Sequence, residues 1–85
     1  MIDIPQIALQ TAFIELLKKL KEIGINQKEV AKLINCNEQH LSAIKKGSKD
    51  AQFNHISIMC GKLGLIFVHD PKNPDLITFS NSQFI

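Results

Sequence analysis

Between Ile7 and Ile23 the apolar side chains fall at Leu9, Phe13, Leu16, Leu17, Leu20 and Ile23, while Lys18, Lys19, Lys21 and Glu22 fill the opposite arc. That spacing predicts an amphipathic helix. Pro5 suits its first turn, and Gly24 stands where a left-handed residue ends such a helix. The next stretch, INQKEVAKLIN, carries its own start signal. Asn26 can cap, Glu29 lies where a capping-box carboxylate reaches back, and Ile25 and Val30 hold the two staple positions. This second helix starts at about Gln27 and is short, because Asn35-Cys36-Asn37 interrupts it and Asn is the non-glycine residue best suited to left-handed backbone. Asn37 then caps a third helix that Gly47 ends, with Cys36 and Leu41 as its staple.

After the polar loop GSKDAQ, a fourth helix is predicted over 53–63, its stripe formed by Phe53, Ile56, Met59, Cys60 and Leu63. Beyond Gly64 the period changes. LIFVH at 65–69 and LITFS at 76–80 read as short strands bracketing the proline-punctuated PKNPD. Strand 65–69 has edges that need covering. It can pair with its own copy across a two-fold axis, or fold back on 76–80 as a hairpin.

Length and composition narrow the class. At 85 residues, 45% hydrophobic and 21% charged, the chain has globular composition and room for one modest core. It lacks the second lobe that usually encloses an active site. The longest near-apolar run, LGLIFV, is far too short to span a bilayer, and the chain opens MIDIPQ without a basic leader, so it reads as cytoplasmic, with no membrane contact. Cys36 and Cys60 belong to no CxxC and have no histidine at ligand spacing, which favours two reduced thiols and no metal. His55 is expected on the exposed side of helix four and His69 at a strand end; with His40 they find no nucleophile partner, and no glycine-rich phosphate loop exists. Neither an enzyme nor a cofactor is expected.

The net charge of +2 is too small to announce a polyanion partner, so the distribution of charge must decide. All ten positive side chains are lysine. Without a guanidinium fork, any anion contact has to come from ammonium groups, backbone N–H groups and neutral polar side chains.

A long helix, a two-turn helix, a tight turn and an amphipathic helix in that order form a helix-turn-helix layout, in which the third helix stands proud and fits a DNA major groove. Ala31 allows close approach of helices two and three; Leu41 and Ile44 anchor the third inward. Glu38, Gln39, Ser42, Ala43, Lys45 and Lys46 occupy the remaining arc, with His40 near its edge. Gln39 can pair bidentately with adenine, and Glu38 can accept from the cytosine amino group. Against these stand plainer readings: Glu38 complements the helix dipole, and Lys45, Lys46 and Lys49 form a solvated cluster at a helix C-terminus. With the layout, phosphate contact is the better reading of the lysines. Gln27, opening helix two, can offer its amide and the free helix N–H groups to a phosphate. RNA is disfavoured: there is no Trp or Tyr, and most Phe positions read as buried.

The stretch INQKEVAKLINCNEQHLSAIKKGSKD, with KLGL at the end of the fourth helix, resembles the phage repressor/Cro (XRE) family of helix-turn-helix proteins. The resemblance covers roughly residues 12–65 and rests on Gln27, Ala31, Leu33, Leu41, Ile44 and Gly47. It implies that Gln27 holds phosphate, that Glu38, Gln39 and Ala43 face bases, and that Ser42 and Lys46 lie at the groove wall. The chain departs from the family at Asn35, where glycine is usual, at Lys45, where relatives are commonly acidic, and in lacking arginine. The tail LGLIFVHDPKNP is similar, over a shorter stretch, to HipB-like antitoxins, which imply a strand-paired dimer and a toxin partner.

The expected fold is therefore mainly α, a four- to five-helix lambda-repressor-like DNA-binding domain with a short C-terminal β-strand or hairpin. Residues 1–64 form the helix-turn-helix unit and 65–85 a β extension, with Leu65, Ile66, Phe67, Val68 and His69 as the dimerisation element. The expected DNA-contacting set is Gln27, Asn37, Glu38, Gln39, His40, Ser42, Ala43, Lys45, Lys46 and Lys49. The expected function is a homodimeric transcriptional repressor on a palindromic operator, its two reading heads about 34 Å apart. The alternative is a HipB-like antitoxin that binds a cognate toxin and autoregulates its operon.

Overall fold

A computed structural model describes residues 5–69, 72–73 and 77–81. Four helices, α1 (Gln6–Glu22), α2 (Gln27–Leu33), α3 (Glu38–Lys46) and α4 (Phe53–Leu63), precede two strands, β1 (Leu65–His69) and β2 (Ile77–Asn81). The boundaries follow the local signals. Asn26 Oδ1 accepts from the Glu29 N–H at 2.9 Å and Asn37 Oδ1 from the His40 N–H at 2.7 Å, so both short helices are capped by side chains.

The ends of α2 and α3 share one geometry. Gly47 has φ 89°, and behind it the Ser48 N–H reaches the Ala43 carbonyl at 2.8 Å while the Gly47 N–H reaches the Ile44 carbonyl at 3.1 Å. Those paired bonds satisfy carbonyls that a helix end leaves open. Asn35 takes the same role after α2 with φ 57°: the Cys36 N–H bonds the Ala31 carbonyl at 2.8 Å and the Asn35 N–H the Lys32 carbonyl at 3.1 Å. Asparagine thus does here what glycine does after α3.

One core joins every element. Phe13, Leu16 and Leu20 of α1, Leu41 and Ile44 of α3, and Ile56 and Met59 of α4 are all sealed from solvent. Val30 and Ala31 of α2 and Ile77 of β2 complete it. Ala31 is 2% exposed, as its small side chain requires for α2 and α3 to approach closely.

β1 and β2 pair antiparallel within the chain, Leu65 opposite Asn81, Phe67 opposite Phe79 and His69 opposite Ile77, so the hairpin is the arrangement observed. Its second strand is Ile77–Asn81, while Leu76 of the expected 76–80 and most of the expected PKNPD turn lie outside the described residues. The two-residue period of the sheet sorts the side chains. Leu65, Phe67 and Phe79 turn towards the helices, while Ile66 and Val68 point out, 37% and 47% exposed, beside the exposed Thr78 and Ser80.

Two helix faces differ from expectation. In α4, Phe53 is 51% exposed and His55 only 7%, the reverse of their expected places. The two residues flank the Ile56–Met59–Cys60 stripe on opposite sides, and the neighbours decide which flank is covered. α1 closes over His55, whose ring lies edge-on to Phe13 with centroids 6.1 Å apart; Phe53 overhangs the hairpin, edge-on to Phe67 at 5.1 Å. Ile7 of α1 and Ile23 just after it are 61% and 60% exposed, because Ala8 and Ala12 carry the start of the buried stripe and Leu20 its end. Among the described residues no helix is long and apolar enough to cross a membrane.

Candidate functional site

α3 presents its outward arc beside the start of α2. Residues 39, 42, 43 and 46 recur at helical spacing on the side away from buried Leu41 and Ile44. Gln27, Glu38, Gln39, Ser42, Ala43, Lys46 and Ser48 line one open depression along this arc. Glu38, Gln39 and Lys46 are exposed, while Ser42 and Ala43 are half-buried. The Gln27 amide Nε2 donates to Ser42 Oγ at 2.8 Å, tying the first residue of α2 to the middle of α3. The side chain expected to grip a phosphate therefore also braces the exposed helix.

α3 is held from behind by α1. Gln10 Nε2 donates to the Ile44 carbonyl at 2.9 Å, and Gln6 Nε2 donates to the Ala51 carbonyl at 2.8 Å. The two amides are joined by Gln6 Nε2 donating to Gln10 Oε1 at 2.9 Å, and Gln10 Oε1 also accepts from the Ala51 N–H. These bonds satisfy backbone groups at the end of α3 and in the loop after it. Sequence reading missed Gln6 and Gln10; the available signal was two glutamines four positions apart on the border of a buried stripe. It also missed Ser48 in the depression and the lysines Lys28 and Lys32, which line a second depression with Ala31, Cys36, Asn37, Glu38 and Gln39.

Four of the expected contact residues do not line this depression. His40 is half-buried, and its ring stands edge-on to His55 with centroids 6.4 Å apart, so it turns towards α4 and away from the Gln39–Lys46 arc. Lys45 lines the depression between α1 and α2 with Lys18, Lys21 and Gln27. Asn37 borders the arc but commits its side chain to the cap of α3. Lys49, exposed in the loop after α3, donates its backbone N–H to the Ala43 carbonyl at 3.2 Å.

Comparison with family models, curated proteins and solved structures gives no match. The chemistry of the site has to be judged from its own groups. The arc offers an amide, a hydroxyl, a carboxylate and an ammonium group on a helix whose ends and back are fixed, which suits hydrogen bonding to a large polar surface. Cys60 is buried and its thiol is pushed up to about 11 by that burial; burial also raises the thiol of Cys36. Burial, followed by the neighbouring His40, pulls the His55 imidazole below its ordinary 6.5. Its Nδ1 accepts from the Gln52 N–H at 3.4 Å as part of the cap of α4. Among the described residues no group of three histidine, cysteine or carboxylate side chains is placed to hold a metal.

Proposed function

We propose that the protein is a sequence-specific DNA-binding repressor of the helix-turn-helix kind, reading a duplex with α3. The observation that carries this is the α3 arc itself. Gln39 and Lys46 are exposed on the same side as the half-buried Ser42 and Ala43, on a helix anchored by Leu41 and Ile44 and braced at its middle by Gln27 and near its end by Gln10. Gln39 is the base reader by chemistry, since a glutamine amide matches the N6 and N7 edge of adenine. Lys46 and Lys49 supply phosphate affinity, and Gln27 adds a neutral contact beside the first turn of α2. Glu38, at the start of α3, tolerates a polyanion only when it points into the groove towards a cytosine amino group.

A lone head of this size binds weakly, and a homodimer on a palindromic operator doubles the contact. The outer face of the hairpin supports that reading: of the expected dimerisation residues Leu65–His69, Ile66 and Val68 are exposed there. A toxin partner docking on the same apolar face would make the chain an antitoxin. Operator affinity measured with and without the product of the adjacent reading frame distinguishes the two, since only an antitoxin binds its operator more tightly when its cognate toxin is added.

The decisive experiment begins with selection of preferred duplexes from a randomised pool, followed by fluorescence anisotropy. Gln39→Ala loses about 1–3 kcal/mol on the selected site and relaxes the choice at one base pair. Lys46→Ala weakens selected and random duplexes alike and reduces the salt slope by about one unit. Equal losses on both duplexes for Gln39→Ala would remove it as a reader, and failure of any sequence to emerge from the pool would refute the proposal.

A further inference from the structure

A depression of about 370 Å3 lies where α1, the start of α2 and the flank of α3 meet. Its floor is aliphatic, built from Ile14, Leu17, Ile25 and Val30. Its rim carries Lys18, Lys21 and Lys45, and no aspartate or glutamate is among its lining residues. Val30 is sealed at 1% exposure, whereas Ile14, Leu17 and Ile25 are half-buried, so the floor is apolar surface that an occupant can still cover. The volume falls within the roughly 300–1,000 Å3 of small-molecule sites, where an apolar lining with a few placed polar groups sets the ligand class. Three ammonium groups around an aliphatic floor are complementary to one chemistry: an anionic head on a hydrocarbon body. A DNA phosphate would use the lysines and leave the floor idle.

We infer that this depression binds a small amphipathic carboxylate of medium alkyl length and that its occupancy is felt by α3. Gln27 lines both this depression and the one along the α3 arc, and its amide is the donor to Ser42 Oγ at 2.8 Å. A carboxylate that draws this amide towards the depression turns it away from Ser42 and loosens the brace. Lys45 belongs to α3 itself, so drawing its ammonium towards the ligand removes a cation from the side of α3. The ligand is thereby a candidate signal for releasing DNA. That last link rests on the proposed function, whereas the binding site stands without it.

The test uses the intact chain with methyl-labelled isoleucine, leucine and valine, titrated with sodium decanoate below its micelle concentration in the absence of DNA. Saturable shifts are expected at the methyls of Ile14, Leu17, Ile25 and Val30. Inorganic phosphate should leave those methyls unmoved. The double variant Lys18→Gln/Lys21→Gln, both positions exposed on α1, should weaken decanoate at least tenfold while keeping the wild-type melting curve. Ile14→Asp, at a half-buried position, should abolish binding by placing a like charge in the floor. The site is overturned if those four methyls do not saturate, if the shifts gather instead around Ile66 and Val68, if phosphate competes with decanoate, or if the double variant binds it unchanged. In a separate arm, saturating decanoate should weaken the selected duplex about fivefold, in keeping with the loss of one neutral hydrogen bond. An unchanged duplex affinity would overturn the coupling, and a protein that binds decanoate but no DNA would overturn the repressor reading alone.

Discussion

Replacing Ile77 by alanine tests whether the hairpin is part of the structural core or an appendage. Ile77 is 5% exposed and packs in the same cluster as Phe13, Leu16 and Met59. Truncating a buried isoleucine to alanine costs about 2–5 kcal/mol, through lost transfer energy and the cavity left behind. β2 is a five-residue outer strand that can settle partly into the space, so the lower part of that range, about 2–3 kcal/mol, is expected. For a domain of this size each kcal/mol shifts the melting temperature by about 4–8 °C, giving a fall of roughly 10–20 °C. Urea denaturation followed by circular dichroism supplies the free energy, and Thr78→Ala, one residue along on the exposed face, is the control, expected within about 0.5 kcal/mol of wild type. Indistinguishable midpoints for the two variants would refute the account of the hairpin as a core element. The expected result also governs how a truncation after residue 64 is read: a loss of dimer would then be entangled with a loss of folding.

Other predictions concern the caps and the titrating groups. Asn37→Ala removes the acceptor for the His40 N–H and should cost about 1 kcal/mol in global stability, with amide exchange accelerated first at residues 38–41; Asn37→Asp should restore both. His55 holds an imidazole depressed by burial and by His40, so the unfolded chain takes up its proton more readily than the folded one. Its contribution is therefore fully present above pH 6.5 and is lost as pH falls through the folded value. His55→Gln should flatten the stability profile below pH 6.5, and an unchanged slope would refute that assignment. Cys60, buried and raised to about 11, should resist a thiol reagent at pH 8 until urea unfolds the chain, whereas reaction of both thiols at the rate of free cysteine would contradict the packing.

The helix boundaries were legible because single residues punctuate them. Asn26 and Asn37 announce caps, Gly47 and Gly64 announce left-handed ends, and even the irregular Asn35 follows from what asparagine tolerates. Facing was less legible. An eleven-residue stripe such as that of α4 fixes the centre of its buried face but not which flank a neighbour will cover, and so Phe53 and His55 exchanged places. The same limit applies to α3, where the 3.6-residue period separates Gln39 and Lys46 from Leu41 and Ile44, yet leaves His40 and Lys45 on borders that α4 and α1 decide. Strand pairing was undetermined in principle, because backbone groups on an edge are satisfied equally by a later segment or by a second copy. The amides of Gln6 and Gln10 were hidden for a related reason: a polar residue beside an apolar stripe reads as surface until the carbonyl it serves is in view.

That pair of amides has a consequence for any ionic-strength experiment on this chain. The bonds from Gln10 to the Ile44 carbonyl, and between Gln6, Gln10 and Ala51, join neutral groups, so added electrolyte leaves the posture of α3 untouched. On the proposed DNA-binding reading, a titration of the complex with potassium chloride reports the ammonium–phosphate contacts and little of the scaffold behind them. On that reading the slope scales with the phosphates neutralised, at about 0.9 for each.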